Sequence, residues 1–349
     1  MKNLATSLSV SQFGELSLID HVRRLFARKS PGVTVGIGDD AAVVNSGGAN
    51  LLVTTDMMVE GVHFDLRFIT AYQLGFKLIS VNVSDIFAMG GTPHHVLLNI
   101  AVPGRTSPEF FQMLLDGVKD AMSLYRTVLV GGDLSSTKGG ISLSAACIGS
   151  AQKYILRSGA RVGDGIYVTG NLGDSLCGLH LLQKMKRTIP LFLMNARGSL
   201  RGPREKLGAM RAGSGVSWKT VEPLMRRHLL PEARNPRKIV RYATSMIDVS
   251  DGLMIDLTRL CNESGTGARI YEDKLPVSVA MRKTAKHLGM DPIKMALTGG
   301  EDYELLFTAP KRSRITGTCV GEVIKSGRVI VNAKGEERAF SAEGYQHFL

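Results

Sequence analysis

The sequence predicts an α/β fold in two domains, and three observations carry that expectation. Apolar strand-like runs alternate with helix-periodic segments along the whole chain. The 349 residues suffice for two domains of ordinary size. The composition, 44% hydrophobic and 21% charged, is that of an average soluble globular protein.

Phe13, Leu16, Ile19, Val22 and Phe26 recur at helical spacing and predict an opening helix over 12–29. Gly36-Ile37-Gly38-Asp39-Asp40 then forms a tight turn whose two carboxylates lead into the apolar run 41–44. Leu51–Asp56 reads as a strand ending on a carboxylate, and 71–90 as a helix that brings Asp85 out of an apolar run. A buried strand follows over 96–102, and a helix over 108–125 has Pro108 in its first turn. Val128–Asp133 reads as a strand stopping at two glycines and an Asp, and 141–149 as one more strand.

A domain boundary is expected near residue 153, giving domains 1–153 and 154–349. Beyond it come a strand at 165–169, a helix at 174–183 and a stretch, 186–218, of poor periodicity. That stretch reads as a surface insertion. The pattern resumes with a strand through 244–251, a helix over 252–263, and the acidic turn 298–304 leading into strand 305–308.

The net charge of +12 suggests an acidic partner at first sight, but its location argues otherwise. Lys184–Arg241 holds 15 basic and 3 acidic residues, which leaves 28 of each sign elsewhere. The segment has only Phe192 and Trp218 as aromatic residues, so support for nucleic-acid stacking is thin and such binding is disfavoured. No apolar run approaches the roughly 20 residues of a spanning helix, and no secretory leader is apparent, so a cytosolic location is expected. The four cysteines are scattered without metal-ligand spacing and read as free thiols.

The chemistry lies in the recurring acidic strand ends: Asp39 and Asp40, Asp56, Asp85, Asp133, and Asp248 with Asp251. Each alone could be a turn former or helix cap. Gathered at one sheet edge, so many carboxylates would repel one another without cations. Oxygen ligands of this kind, with the Thr54 and Thr55 hydroxyls, suit Mg²⁺, which in turn points to phosphate substrates. Neighbouring glycines could offer backbone N–H groups to phosphate oxygens. The chain has no GxxxxGK[ST] loop, full dinucleotide fingerprint, protein-kinase motif set or GxSxG elbow.

Seven motifs in order, GIGDDAAVV, LLVTTDMMVEGVHF, KLISVNVSDIFAMGGTP, LVGGD, LRSGARVGDGIYVTGNLGDS, IDVSDGLMIDL and GGEDYELLF, resemble the thiamine-monophosphate kinases. That family belongs to the superfamily of aminoimidazole ribonucleotide synthetase. The resemblance covers about 13–183 and 224–348. It implies a two-domain α/β fold with mixed sheets, whose N-terminal domain pairs with its twin in a dimeric β-barrel. It further implies ATP-dependent phosphorylation of thiamine monophosphate to thiamine diphosphate, with several Mg²⁺ ions, in a homodimer.

By the same resemblance Asp40, Thr54, Thr55, Asp56, Asp85, Asp133 and Asp248 would bind Mg²⁺, with Asp251 on a further ion. Gly132, Asp133, Arg157 and Ser250 would meet ATP, and His63 and Glu301 the thiamine substrate. Two departures stand out. Leu134-Ser135-Ser136 stands where the family usually shows Thr, then Thr or Asn, then Arg, and Ala342-Glu343 stands where an aromatic residue is usual. Phe340 and Tyr345 are then the candidates for stacking on the thiamine ring.

The reaction needs no strong base, because the acceptor is already an anionic phosphate; the obstacle is repulsion between anions. Direct transfer with no catalytic side chain on the path is therefore expected. Other activities of the superfamily fit less well. A selenophosphate synthetase would want an early reactive Cys, and none precedes Cys147. A hydrogenase-maturation dehydratase would end in Cys, where this chain has His347-Phe348-Leu349.

Overall fold

Two mixed sheets divide the chain. The computed structural model describes residues 15–26, 30–191, 216–311, 315–345 and 347. Within these, every strand up to Ala151 joins one six-stranded sheet, and every later strand joins a seven-stranded one.

The first sheet comprises β1 (Val33–Val35), β2 (Ala42–Ser46), β3 (Ala49–Val59), β4 (Thr92–Pro103), β5 (Val128–Thr137) and β6 (Ser142–Ala151), in the order β1-β2-β3-β6-β4-β5. It is open, with β1 and β5 at its edges. Only β4 and β5 pair in parallel, and α3 (Pro108–Tyr125) connects them. α3 has the predicted bounds: Pro108 follows the Ser107 cap, whose Oγ accepts the Phe110 N–H.

α2 (Ala71–Ala88) starts at a capping box of Thr70 and Gln73 and is buried on all sides. It packs on β3, β6 and α3, and its opposite side meets elements of the second half. Every one of its residues is buried except Asp85. Gly75 and Gly117 let α2 and α3 cross in backbone contact; a Cβ on Gly117 would lie 1.9 Å from the Tyr72 carbonyl oxygen.

The second sheet comprises β7 (Gly165–Val168), β8 (Ser245–Asp248), β9 (Gly267–Tyr271), β10 (Leu305–Ala309), β11 (Thr318–Ile324), β12 (Arg328–Val331) and β13 (Glu337–Ala339). Its order is β13-β12-β9-β11-β7-β10-β8, antiparallel throughout except for β12 on β9. Five α-helices accompany it among the described residues, α4 (Asp174–Met185), α5 (Trp218–Leu229), α6 (Leu253–Ser264), α7 (Val279–Leu288) and α8 (Pro292–Thr298), and α6 contacts β8, β9 and β10.

Several expectations change. α1 (Glu15–Leu25) forms, but Ile19, Val22 and Phe26 are exposed, and Phe13 lies outside the described residues. Polar contacts tie α1 to the second half instead, through Arg23–Glu263 at 2.7 Å and Glu15–Arg259 at 3.5 Å. β5 does not stop at Asp133; it continues to Thr137 as an edge strand exposed over nearly all its length. Asp85 leaves a helix and Asp56 sits within β3, so neither ends a strand.

The expected surface insertion begins as core. Ile189 and Leu191 are buried, and Gln73 Nε2 donates to both carbonyl oxygens, at 2.6 and 3.2 Å. Residues 192–215 of that insertion lie outside the described residues. Cys147, Cys177 and Cys261 are buried free thiols, and Cys319 is partly buried. No helix among the described residues is long and apolar enough to cross a membrane.

Candidate functional site

Asp40, Asp85 and Asp248 converge from three elements. Asp40 lies between the Gly38 turn and β2, Asp85 near the end of α2, and Asp248 at the end of β8. One carboxylate oxygen from each lies within 4.8 Å of the others. Hydroxyls hold two of them in place. Thr54 Oγ1 donates to Asp85 Oδ2 at 2.6 Å, and Ser84 Oγ donates to Asp248 Oδ2 at 2.6 Å.

Arg157 supports the third carboxylate. Its Nη2 lies 2.6 Å from Asp40 Oδ1, while Asp40 Oδ2 is buried and has no hydrogen-bond partner among the described residues. The Arg157 backbone N–H also donates to both oxygens of Asp39, at 3.2 Å each. Burial works against the Arg157 charge, but Asp40 outweighs it and raises its pKa above the ordinary value.

The cluster carries more negative charge than its surroundings accommodate. Burial, then Asp56 and Asp248, push Asp85 well above the ordinary carboxylate range. Burial and Asp40 do the same to Asp248. Asp56, pushed up to about 6 by burial and then by Asp251 and Asp40, adjoins the group from β3. Asp39 is pushed up to about 7 by burial and Asp40. A buried oxygen without a partner, among carboxyls that resist ionisation, is the environment a hard cation relieves.

A cavity of about 980 Å³ opens beside these carboxylates, between the two halves. Asp56, Asp85, Asp248, Ser250 and Asp251 line it at the acidic end, with His63 and Glu301 on its wall. His63 Nδ1 accepts the Val59 N–H at 3.1 Å. Burial, then His347, lowers the His63 pKa, so the ring is neutral at pH 7. Asp251 is held by Arg259 Nη1 at 2.5 Å, which also reaches Asp256 at 2.9 Å.

Not every residue picked from the sequence joins the group. The Thr55 side chain lies on the opposite face of β3 from Thr54 and Asp56, and its Oγ1 donates to the Ala145 carbonyl oxygen at 2.9 Å. Gly132 and Asp133 lie on the exposed edge strand β5. Register through β4 and β6 aligns Asp133 with Met57 and Gly132 with Asp56. Three strand spacings separate them, about 14 Å. Of the two stacking candidates, Tyr345 lines the cavity and Phe340 packs against the core.

The structure also adds residues that motif reading passes over. Lys77, 1% exposed, lies 2.6 Å from Glu301 Oε1, and His228 Nδ1 lies 3.0 Å from Glu301 Oε2. A buried lysine within the apolar run of α2 was the available signal, since such a charge requires a partner. His347 joins His63 and Tyr345 at the cavity, with ring centroids 4.9 Å from each. Nothing in the spacing of His347 marks it.

Comparison with known proteins agrees in fold and along nearly the full length. The family described as "AIR synthase related protein, N-terminal domain" matches residues 38–151. The thiamine-monophosphate kinase of Aquifex aeolicus is 34% identical over 346 residues, covering 98% of this chain and 100% of that one. That of Salmonella typhimurium is 33% identical over 353 residues, covering 96% and 98%. The solved structure "AaThiL complexed with AMPPCP and TMP" superposes with a TM-score of 0.82 at 34% identity, covering 98% of this chain and 100% of that chain.

Proposed function

This chain belongs to the thiamine-monophosphate kinase family, and on that premise we propose that it phosphorylates thiamine monophosphate with ATP, giving thiamine diphosphate. The observation that carries the reading is the Asp40, Asp85 and Asp248 cluster, in which a buried Asp40 Oδ2 has no hydrogen-bond partner among the described residues, beside a cavity that Asp85 and Asp248 line and that is large enough for two phosphate substrates.

The donor set fits Mg²⁺: all oxygen, mostly carboxylate, and too negative to be stable alone. Asp40, Asp85 and Asp248 would hold the ions, with Asp56 beside them and Thr54 supporting Asp85. When bound, Mg²⁺ offsets the repulsion between two phosphate anions and the charge that develops during transfer. Asp251 would serve a further ion after exchanging its contact with Arg259. Thr55 has its hydroxyl committed to Ala145, so any role for it would fall to its backbone.

The chain's own residues then bind and orient. Arg157, partly exposed beside Asp40, would meet ATP phosphate together with Ser250, and His63 and Glu301 would hold the thiamine moiety. An oxygen of the thiamine phosphate attacks the γ-phosphorus while its bond to the bridging oxygen breaks, and ADP leaves. That acceptor is anionic at neutral pH, so no side chain has to remove a proton.

Gly132 and Asp133 enter this scheme through a second copy. The β5 edge is long and, among the described residues, unpaired, and Val128, Leu129, Val130 and Leu134 are exposed along it. Such an edge is a template for pairing with another strand. Pairing of two copies there would close the open sheets into the barrel of a homodimer and bring Asp133 of one copy toward the cluster of the other. The division into domains 1–153 and 154–349 and a cytosolic location belong to the same reading.

The test is a substrate panel. Purified protein with ATP and Mg²⁺ is offered thiamine monophosphate, free thiamine and aminoimidazole ribonucleotide precursors. Thiamine diphosphate formed from thiamine monophosphate alone is expected. Turnover of a precursor with none of thiamine monophosphate would refute the assignment.

A further inference from the structure

Glu301 is gripped from both halves of the molecule. From α2 in the first half, about two turns before Asp85, Lys77 brings its ammonium 2.6 Å from Oε1. From α5 in the second, His228 brings Nδ1 to 3.0 Å of Oε2, and Ser175 Oγ of α4 lies 3.1 Å from the same ring nitrogen. A carboxylate beside Nδ1 requires that nitrogen to carry the proton, which fixes the tautomer. Burial and the nearby Lys77 charge lower the His228 pKa, so the ring is neutral.

The backbone is fixed as firmly as the side chain. Glu301 and Tyr303 have φ of +62° and +49°, a left-handed conformation that side-chain-bearing residues rarely adopt. The Glu301 N–H donates to the Ser250 carbonyl oxygen at 2.7 Å, and the Tyr303 N–H to that of Val249 at 2.9 Å. The turn is thus stapled to the segment between Asp248 and Asp251. Its carboxylate stands at a set distance from the acidic cluster and remains partly open to the cavity.

The charge on this carboxylate is already matched. Burial pushes the Glu301 carboxyl upward, but the Lys77 ammonium and then His228 outweigh it and hold the group well below the ordinary carboxylate range. Thiamine offers two kinds of group to such a wall: a cationic thiazolium and a neutral aminopyrimidine with N–H donors. An ion-paired carboxylate has little net attraction for a cation, yet keeps lone pairs for an N–H donor.

We propose that Lys77 and His228 are positioning residues that present Glu301 as a charge-compensated hydrogen-bond acceptor for the aminopyrimidine of the substrate. This rests on the thiamine monophosphate reading above. Lys77 lies on the helix that carries Asp85, and His228 on the opposite half, so the recognition element and the phosphate end share one frame.

Equilibrium binding of thiamine monophosphate and steady-state kinetics test it in the full-length protein, with thermal melts to establish folding. Lys77→Met should weaken thiamine monophosphate binding about tenfold or more while the KM for ATP changes by less than about twofold. A counter-ion role for Glu301 predicts the reverse, since unmasking the carboxylate would tighten binding of the cationic substrate. His228→Asn keeps an N–H donor and should bind within about threefold of wild type, whereas His228→Ala should lose about tenfold.

Should Lys77→Met fail to fold, Lys77→Met/Glu301→Gln removes both charges together and should fold. That pair should bind thiamine monophosphate about tenfold more weakly than wild type, with the ATP KM kept. Unchanged or tighter binding in folded Lys77→Met, or in the double variant, overturns the proposal. A wild-type protein that binds no thiamine monophosphate overturns the functional assignment itself, so the two failures are distinct.

Discussion

Ser84 Oγ donates a hydrogen bond to Asp248 Oδ2 at 2.6 Å, joining α2 of the first half to β8 of the second inside the acidic cluster. A residue of this kind sets the direction of a metal-facing carboxylate without facing the metal itself. Ser84→Ala should raise the Mg²⁺ concentration for half-maximal activity about tenfold, with turnover at saturating Mg²⁺ near wild type. Mg²⁺ titration of initial rates checks this.

Asp56→Asn and Asp133→Asn should each lower turnover by on the order of a hundredfold, since each affects charge compensation worth several kcal/mol. If Asp133 acts across a dimer, co-expression of Asp40→Asn with Asp133→Asn restores one intact site in each mixed dimer. Up to about a quarter of wild-type activity should return. No recovery in purified mixed dimers would keep Asp133 within its own subunit or outside the site.

The carboxyl shifts predict how stability depends on pH without metal. Asp56 and Asp39, pushed up to about 6 and about 7, bind their protons more tightly folded than unfolded. Stability is therefore lost as pH rises from about 4, the unfolded carboxylate value, through about 7. In EDTA, these groups should make the protein melt about 5 °C higher at about pH 5 than at about pH 8. Added Mg²⁺ should raise the melting temperature most at the higher pH, where ionised ligands are available.

The basic segment is not uniformly solvent-facing. Arg227 and Arg234 pair with the buried Glu304, and Ile189 and Leu191 belong to the core. Deletion should therefore begin after Leu191. Replacing 192–215 by a short Gly-Ser bridge should leave the fold and measurable kinase activity, whereas a deletion that also takes Ile189 should lower the melting temperature by several degrees. Thermal melts and activity of both variants check this.

The elements that position the site were largely legible because they carry strong local signals. α3 has its Pro and its cap, and β8 is an apolar run delivering Asp248. β12 and β13 lack such patterns, since short strands at a sheet margin are specified by their neighbours. The carboxylates Asp40, Asp85 and Asp248 were legible as a set, but their distances were not. Asp133 shows why: an acidic turn looks the same in sequence whether its strand lies at the cluster or three strands away. Lys77 was hidden inside an apolar helix, its meaning given only by Glu301, 224 residues later.

Single-turnover transfer from γ-labelled ATP tests the central claim most directly. With Mg²⁺ and thiamine monophosphate, the label should appear in thiamine diphosphate at one equivalent per site, with none on the protein and none transferred in EDTA. Initial rates with both substrates varied should give intersecting lines, since both must be bound together. A chemically competent labelled protein, or equal transfer without Mg²⁺, would contradict it.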